Sequence, residues 1–221
     1  MEPTTDIIAI LYGDRKDMDL LVKSIEETCT NYNLIVIDNN PPNPNLGFTK
    51  ALNKGIRMGK APYIWCLNQD AIVLPGAQEA LIKRLESNPR AGLAGSMQID
   101  QDNPDQIRYG GSLRAFPAGI HKGGLISMGH CRLPAKQTWV NFASVMIRRE
   151  TFDKVGPLDE SMYLLYSDSD YSYSCRQAGW EAWYEPASRV IHRLNASKKI
   201  TEWHQKDMLA FMKKWGINHV G

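Results

Sequence analysis

The sequence has 221 residues, with 26 lysines and arginines against 24 aspartates and glutamates, and a formal net charge of +2 at pH 7. A charge so close to neutral argues against nucleic acid as a partner, because nucleic-acid-binding domains usually carry a strong basic excess. The 43% share of hydrophobic residues is typical of a globular chain with one large domain, with or without a small appendage.

The cysteines and the first residues bear on the cellular compartment. The four cysteines are scattered without C-x-x-C spacing, at positions 29, 66, 131 and 175. We expect buried free thiols and a reducing compartment. The N-terminus lacks the basic and apolar blocks of a signal peptide, and no run approaches the ~18 apolar residues of a membrane helix. We therefore expect a cytoplasmic protein without a transmembrane segment, with peripheral contact to a membrane surface left open.

Apolar patterns in the first part of the chain predict an α/β domain. Continuous apolar runs at 7–11, 34–37 and 63–67 are typical of strands buried on both faces. Apolar residues at helical spacing lie between these runs, at 18–25 and 48–56. Strand, helix, strand, helix, strand in this order predicts a parallel sheet with helices on its faces.

The later elements are less regular. A helix is expected at about 75–86 with Pro75 in its first turn, and the core resumes at 139–147. Residues 100–137 are predicted to form long loops with short strands that contact the acceptor. A helix near 168–178 precedes short strands at Trp183 and at 190–191. The last helix, near 201–215, is expected to pack on the main domain; its lysines leave a membrane-surface role as the second interpretation.

Polar residues follow each of the first three predicted strands. They are Tyr12-Gly13-Asp14, Asp38-Asn39-Asn40 and Asn68-Gln69-Asp70. In an open α/β sheet, ligands bind beyond the carboxyl ends of the strands. The chain has neither G-x-G-x-x-G nor G-x-x-x-x-G-K-[ST]. If phosphates bind at this edge, a metal ion or scattered polar groups must neutralise them.

Several motifs follow one another at specific spacing. They are Ile-Val-Ile-Asp-Asn-Asn at 35–40, Asn-Leu-Gly-Phe at 45–48, Leu-Asn-Gln-Asp at 67–70, the block at 145–160, Asp-Ser-Asp-Tyr at 168–171, and Val-Ile-His at 190–192. From about residue 6 to 195 the chain resembles a family 2 glycosyltransferase. The resemblance implies the GT-A fold, in which a nucleotide-binding parallel or mixed sheet flanked by helices carries a smaller acceptor-side β region. We expect a nucleotide-binding half at about 1–99, an acceptor-side half at about 100–199, and a C-terminal helix at 200–221.

The resemblance also implies an activity. A hexosyl or deoxyhexosyl group would pass from a nucleotide-diphosphate sugar to a hydroxyl of a glycan or another acceptor, in polysaccharide or glycan biosynthesis. The pattern has one base and no carboxylate nucleophile, so a single inverting displacement is expected. Processive relatives carry a Q-x-x-R-W motif and membrane helices; we find neither, so one sugar per encounter is expected.

Asp70 and His192 are the predicted metal ligands. Asp70 stands where the family's D-x-D motif ends, and Asn68 replaces the first acid of that motif. In several GT-A enzymes a downstream histidine completes the metal shell, which implies this role for His192. Imidazole suits Mn²⁺ better than Mg²⁺, so Mn²⁺ is the favoured cofactor, with Mg²⁺ as the other candidate. From the residues alone, Asp70 also fits a turn aspartate and His192 a structural histidine.

Asp168 is the predicted general base. The family pattern implies this role, and the start of a helix favours an ionised carboxylate. Ser167 stands where the family usually has glutamate, and we expect it to be the helix N-cap. Asp170 is the second candidate for the base. Arg176 lies two helical turns after Asp168, where it would support Asp168, orient phosphate or form a surface salt bridge.

The remaining candidates lie on the donor side. The resemblance implies that Asp38 binds the nucleotide base or ribose, that Tyr12 flanks the base, and that Asn45, Gly47 and Asn68 belong to the donor site. Asp38 also fits a turn aspartate before a proline-rich loop. His121, His130 and Cys131 are spaced too irregularly for a metal site, and are interpreted as loop residues.

Two other functions remain open at this stage. A nucleotidyltransferase shares the α/β architecture and the use of carboxylates with Mg²⁺, but would usually carry a glycine-rich, basic first loop. A sugar-nucleotide or glycan-binding module without turnover is the second alternative, because Ser167 and Asn68 depart from the family pattern. The sequence does not indicate the donor sugar, the nucleotide, the acceptor or the oligomeric state.

Overall fold

The first half of the chain alternates strands and helices as predicted. A computed structural model describes residues 2–112, 126–127, 131–193 and 201–218. The elements up to residue 100 are β1 (Thr5–Leu11), α1 (Arg15–Thr28), β2 (Tyr32–Asp38), α2 (Gly47–Met58), β3 (Tyr63–Asn68), β4 (Ala71–Val73), α3 (Ala77–Glu86) and β5 (Ala91–Asp100). The helix predicted to include Pro75 instead begins at Ala77, because Gly76 before it has a φ of +80°.

The second half adds short strands and three more helices. They are β6 (Gln106–Tyr109), β7 (Ile126–Ser127), β8 (Ala135–Gln137), β9 (Ser144–Arg148), α4 (Arg149–Val155), α5 (Ser167–Gln177), β10 (Glu181–His192) and α6 (Thr201–Trp215). Loops with short strands therefore occupy the described part of 100–137, as expected. His121 and His130 lie outside the described residues.

The strands form one mixed sheet. The main path runs β2-β1-β3-β9-β5-β10-β4. β1 is parallel to β2 and β3, β9 is antiparallel to β3 and β5, and β10 is parallel to β5. The carboxyl ends of β1, β2 and β3 consequently meet at one edge, which carries the polar residues singled out above.

Apolar side chains cover both faces of this sheet. Successive residues of β1 point to opposite faces, so Ile8 packs in a cluster with Leu52 of α2 and Tyr171 of α5. Ile7 packs in a second cluster with α1 and α3, through side chains that include Met18 and Leu81. β1 and β3 therefore appear in the sequence as continuous apolar runs. β2 was also expected to be buried on both faces, but it is the edge strand of the main path, and Val36 on its second face is 37% exposed. The four cysteines are buried free thiols, as expected.

β10 is one strand where two short strands were predicted. It spans twelve residues and is paired with β5 on both sides of a register shift between Glu185 and Arg189. Pro186 lies in that shift, where a residue without an N–H group interrupts no ladder hydrogen bond. The bulge lets β10 continue to His192. Among the described residues, no helix combines the length and hydrophobicity needed to cross a bilayer.

Candidate active site

Asp70 and His192 meet at the carboxyl edge of the sheet. Asp70 lies between β3 and β4, and the antiparallel pairing of β4 with β10 sets Ala71 opposite His192. Asp70 Oδ1 and His192 Nε2 are 3.3 Å apart, and both side chains are buried. Asn68 Nδ2 lies 3.5 Å from the same ring nitrogen. The predicted metal ligands are therefore brought together, with Asn68 beside them.

Gln98 fixes the orientation of the His192 ring. Gln98 Nε2 donates to Asn141 Oδ1 at 2.9 Å, so its Oε1 is the acceptor that faces His192 Nδ1 at 3.0 Å. Nδ1 is therefore the ring nitrogen that donates to Gln98, and Nε2 is the ring nitrogen that faces Asp70. A hydrogen bond at one ring nitrogen that frees the other is the usual arrangement behind a metal-binding histidine.

Asp168 is half-buried in the first turn of α5. Its Oδ1 accepts a 2.7 Å hydrogen bond from the backbone N–H of Ser169, and the carboxylate also accepts from the N–H of Phe142. Burial raises the pKa of Asp168 to about 6, against the opposing effect of those hydrogen bonds. A carboxylate with a raised pKa is a better proton acceptor near neutral pH than an ordinary surface aspartate.

A line of contacts connects the metal-ligand pair with Asp168. Asp70 contacts His192, His192 contacts Gln98, and Gln98 contacts Asn141. The residue after Asn141 is Phe142, whose N–H binds Asp168. The short segment that precedes β9 thus lies between the two carboxylates. Four non-covalent contacts and the peptide bond between Asn141 and Phe142 therefore join Asp70 to Asp168.

The start of α5 differs from the prediction that Ser167 caps the helix. Ser167 is the first helical residue, and the cap position is Tyr166, with a φ of +63° and no side-chain cap. The carbonyl of Tyr166 accepts from the N–H of Asp170 at 2.8 Å. The expected cap was wrong because Tyr166 forms the turn that begins the helix. Tyr166 does so in a left-handed backbone conformation, which is strained for a side chain of this size. Asp168 retains its own backbone hydrogen bonds in this arrangement.

Asp170 and Arg176 are directed away from Asp168. The Asp170 carboxylate is buried and accepts from Lys214 Nζ at 2.8 Å and from Trp215 Nε1 at 2.9 Å, both on α6. Arg176 is exposed in the last turn of α5, and no ion pair joins it to Asp168 within the described part of the chain. Asp170 therefore binds the C-terminal helix, and Arg176 is a surface residue.

The loop after β1 is held by side chains from two neighbouring strand ends. Gln69 Oε1 accepts from the N–H of Tyr12 at 2.8 Å, while Gln69 Nε2 donates to the Tyr12 carbonyl at 2.7 Å. Asn40 Oδ1 accepts from the N–H of Gly13 at 2.8 Å. The Tyr12 side chain is 57% exposed, so it is free to flank a ligand. Asp38 is exposed, and its Oδ1 accepts from the N–H of Asn40 at 2.8 Å, as a turn aspartate does.

Gly47 and Asn45 shape the start of α2. Asn45 Oδ1 accepts from the N–H of Gly47 at 2.9 Å. Gly47 has a φ of +72°, and a Cβ at this position would lie 2.5 Å from the ring of Tyr163. Only glycine suits both the left-handed backbone and the close approach of that ring. Gly47 therefore contributes to the region through packing.

Comparison with known proteins identifies the family. The model of glycosyl transferase family 2 matches residues 42–155, just over half of the chain. The chain belongs to glycosyltransferase family 2. This match ends before Asp168 and His192, so the structure is what connects those residues to the family region, through Asn141 and Phe142.

Curated relatives of this family 2 chain include sugar transferases. It is 25% identical over 208 residues to an N-acetylglucosaminyl-diphospho-decaprenol L-rhamnosyltransferase of Mycobacterium tuberculosis, covering 84% of this chain and 66% of the relative. It is 27% identical over 159 residues to the dTDP-rhamnosyl transferase RfbF of Shigella flexneri, covering 68% of this chain and 50% of the relative. The chain thus spans less than two thirds of the length of these relatives.

Solved structures confirm the GT-A fold. One neighbour is a crystal structure of GalNAc-T7 with UDP, GalNAc and Mn²⁺; its TM-score is 0.68 at 14% identity, over 88% of this chain and 45% of the neighbour. A second is the mannosyltransferase PcManGT from Pyrobaculum calidifontis in complex with GDP-Man and Mn²⁺, with a TM-score of 0.66 at 12% identity, over 100% of this chain and 66% of the neighbour. At these identities the likeness concerns the fold alone.

Two polar residues of the candidate site were not predicted from the sequence. Gln98 and Asn141 link His192 to the segment that binds Asp168. A signal for Gln98 was present, because Ser96, Gln98 and Asp100 alternate along a segment of strand length, which places them on one face. Asn141 lies just before β9 and had no comparable signal.

Proposed function

We propose that this chain is a metal-dependent, inverting glycosyltransferase that transfers a deoxyhexose from a nucleoside diphosphate to a hydroxyl group. The observation that carries the proposal is the line of contacts from Asp70 through His192, Gln98 and Asn141 to the segment that binds Asp168. In the reaction, the bond between the anomeric carbon and the diphosphate oxygen breaks as the acceptor oxygen bonds to that carbon. The hydroxyl proton passes to Asp168, and the nucleoside diphosphate leaves.

The residues at the sheet edge fit a divalent cation. Oδ1 of Asp70 and the lone pair of His192 Nε2 face each other at 3.3 Å, and a cation between two such acceptors would be stabilised by both. Among the described residues no group of three or more His, Cys, Asp or Glu side chains forms a metal cluster. A site with two protein ligands suits a cation that also binds substrate phosphates and water. Such a cation, Mn²⁺ by the chemistry of imidazole, would offset the charge that grows on the departing diphosphate.

The surroundings of Asp168 support its role as the base. Burial holds its pKa at about 6, so the carboxylate is ionised at neutral pH and still a useful proton acceptor. The next carboxylate along the helix, Asp170, is bound to Lys214 and Trp215. Because Asp170 is bound by α6, we assign the base to Asp168, and a single displacement with inversion is the course we propose.

The donor and acceptor classes follow from the relatives. Two of them, from Mycobacterium tuberculosis and Shigella flexneri, are rhamnosyl transferases by name. We therefore propose dTDP-L-rhamnose as donor and a sugar linked to a lipid diphosphate as acceptor, which would bring the protein to a membrane surface. Asp38 and Tyr12, at the ends of β2 and β1, would contact the nucleotide. The acceptor would lie against the half of the chain that follows residue 100.

The experiment is a donor screen with product analysis. The protein is incubated with UDP-, GDP- and dTDP-sugars and Mn²⁺, and the nucleoside products are separated by chromatography. We expect release of dTDP from dTDP-L-rhamnose, its suppression by EDTA and its recovery on adding Mn²⁺. With a sugar linked to a short-chain lipid diphosphate as acceptor, proton NMR of the product should show inversion at the transferred anomeric carbon.

The same screen separates the alternatives. When a nucleoside triphosphate and a sugar 1-phosphate replace the sugar nucleotide, release of pyrophosphate would indicate a nucleotidyltransferase. Thermal stabilisation by a sugar nucleotide with Mn²⁺, but no product with any donor, would indicate a binding module, since ligands that bind the native state raise its apparent stability. Release of nucleoside diphosphate at the same rate in EDTA would contradict metal dependence.

A further inference from the structure

The loop that leads into α5 is bound to α6 by a single buried carboxylate. Asp207, only 1% exposed, accepts hydrogen bonds from three consecutive backbone N–H groups. Oδ1 accepts from Tyr163 at 2.8 Å, and Oδ2 accepts from Leu164 and Leu165 at 2.7 Å each. Charge-assisted bonds of this length are strong, and three of them fix the backbone direction of the loop.

The same loop is attached to the donor side. The carbonyl of Tyr163 accepts from the N–H of Phe48 at 2.8 Å and more weakly from that of Thr49, in the first turn of α2. The Tyr163 ring lies over Gly47 on one side and stacks on Trp203 of α6 at 4.0 Å on the other. Residues 163–165 thus connect α2, which begins beside the predicted donor site, to α6.

A second set of contacts holds α6 against α5 itself. Lys214 and Trp215 lie seven and eight residues after Asp207, which places all three on one helical face. They bind the Asp170 carboxylate two residues after Asp168. Between the two attachment points lies Tyr166, held at a φ of +63°. A strained residue of this kind persists when the structure on both sides fixes it.

We propose that Asp207 is a positioning residue for Asp168: it holds the loop at 163–165 so that α5 presents its first turn toward the acceptor. The inference rests on the proposed function, because it assumes that Asp168 accepts the proton. It assigns to α6 a part in the reaction, in addition to covering apolar surface. Asp207 itself touches no reacting atom.

The test compares Asp207→Asn and Asp207→Ala with the parent protein, using dTDP-L-rhamnose and Mn²⁺. A loosened loop misplaces the base and lets water reach it. We therefore expect kcat to fall about 10- to 100-fold, with the Kd for dTDP in the presence of Mn²⁺ within about twofold of the parent value. The acid limb of the pH profile, the range in which kcat/KM falls as the pH is lowered, should move to lower pH, since hydration of Asp168 lowers its pKa. The asparagine variant keeps one acceptor oxygen and should lie between the parent and the alanine variant.

Asp6→Asn is the matched control. Asp6 is a buried carboxylate that accepts from the N–H of Ala61 and from side chains of Asn33 and Arg149, near the opposite edge of the sheet. The Asp6→Asn substitution should lower the melting temperature without moving the acid limb of the pH profile. The inference is wrong if folded Asp207→Asn keeps the parent's kcat and acid limb, or changes them no more than Asp6→Asn does. If Asp168→Asn retains turnover, the assignment of the base has failed instead.

Discussion

Replacement of Asp168 by asparagine is expected to lower turnover about 10²- to 10⁴-fold, the usual contribution of a general base. The asparagine carbonyl can still accept from the N–H groups of Ser169 and Phe142, which bind the carboxylate in the parent. The first turn of α5 should therefore stay in place while its proton acceptor is lost. Initial rates of dTDP release, together with the Kd for dTDP and Mn²⁺, measure the effect.

The pH dependence of the parent follows from the same carboxylate. Burial raises the pKa of Asp168 to about 6, and only the ionised form accepts a proton. The rate at limiting donor should consequently be constant above that pH and fall about tenfold for each unit below it. The folded-state pKa of Asp168 is higher than its unfolded value, so its ionisation lowers the free energy of unfolding. The free energy of unfolding therefore rises as the pH falls from about 6 to the unfolded pKa, because the folded state binds the proton first.

Melting temperature provides the control for this variant. Asparagine carries no charge into this half-buried position, so Asp168→Asn should melt no lower than the parent at pH 7. A rate that is unchanged in the variant, or an acid limb that the variant retains, would show that another group accepts the proton. A variant that loses both the rate and the melting temperature would point to a structural role.

In Asp70→Asn, Mn²⁺ is expected no longer to increase the affinity for the nucleotide. Turnover is expected to fall by at least about 10²-fold, because a bound cation supplies several kcal/mol of stabilisation to the leaving diphosphate. The amide keeps the size of the side chain but removes its charge next to His192 Nε2, 3.3 Å away. Calorimetric titration of dTDP with and without Mn²⁺ gives the two affinities, whose ratio is the relevant quantity.

Asp19→Asn is the control for this prediction. Asp19 lies on α1, pairs with Arg15 and is 65% exposed, so its removal should leave both affinities unchanged. Should Asp70→Asn bind dTDP with the parent's dependence on Mn²⁺, the metal would have to lie elsewhere. A reduced affinity that is the same with Mn²⁺ and with EDTA would assign Asp70 to the nucleotide alone.

The sequence predicted the elements whose pattern of apolar residues is regular and uninterrupted. β1 and β3 are covered on both faces, so their apolar runs are uninterrupted, and α1 and α2 show apolar residues at helical spacing. β10 was divided in two because Pro186, Ala187 and Ser188 interrupt its pattern, whereas a bulge opposite β5 accommodates them. Ser167 was expected to cap α5 from local spacing alone, and the strained backbone of Tyr166 has no signature in the sequence.

The site could be predicted residue by residue only where a family motif or a strand end marks it. Asp70 and His192 are 122 positions apart in the chain and meet because β4 pairs with β10, a long-range contact that periodicity does not contain. Gln98 lies 43 residues from Asn141 and 94 from His192. Asp207 likewise depends on a partner more than 40 residues away. Polar residues that act by hydrogen-bonding to other site residues can be recognised only when the positions of their partners are known from the structure.

The metal site can be located by an anomalous difference map, recorded near the manganese absorption edge, from crystals grown with dTDP and Mn²⁺. We expect one strong peak within bonding distance of Asp70 and His192 Nε2 and of the nucleotide's diphosphate oxygens, on the side of the sheet that faces Asp168. Two results would contradict this expectation. In the first, the nucleotide binds at that edge and the manganese peak lies elsewhere. In the second, Asp70 and His192 remain in direct contact, and there is no peak between them and the diphosphate.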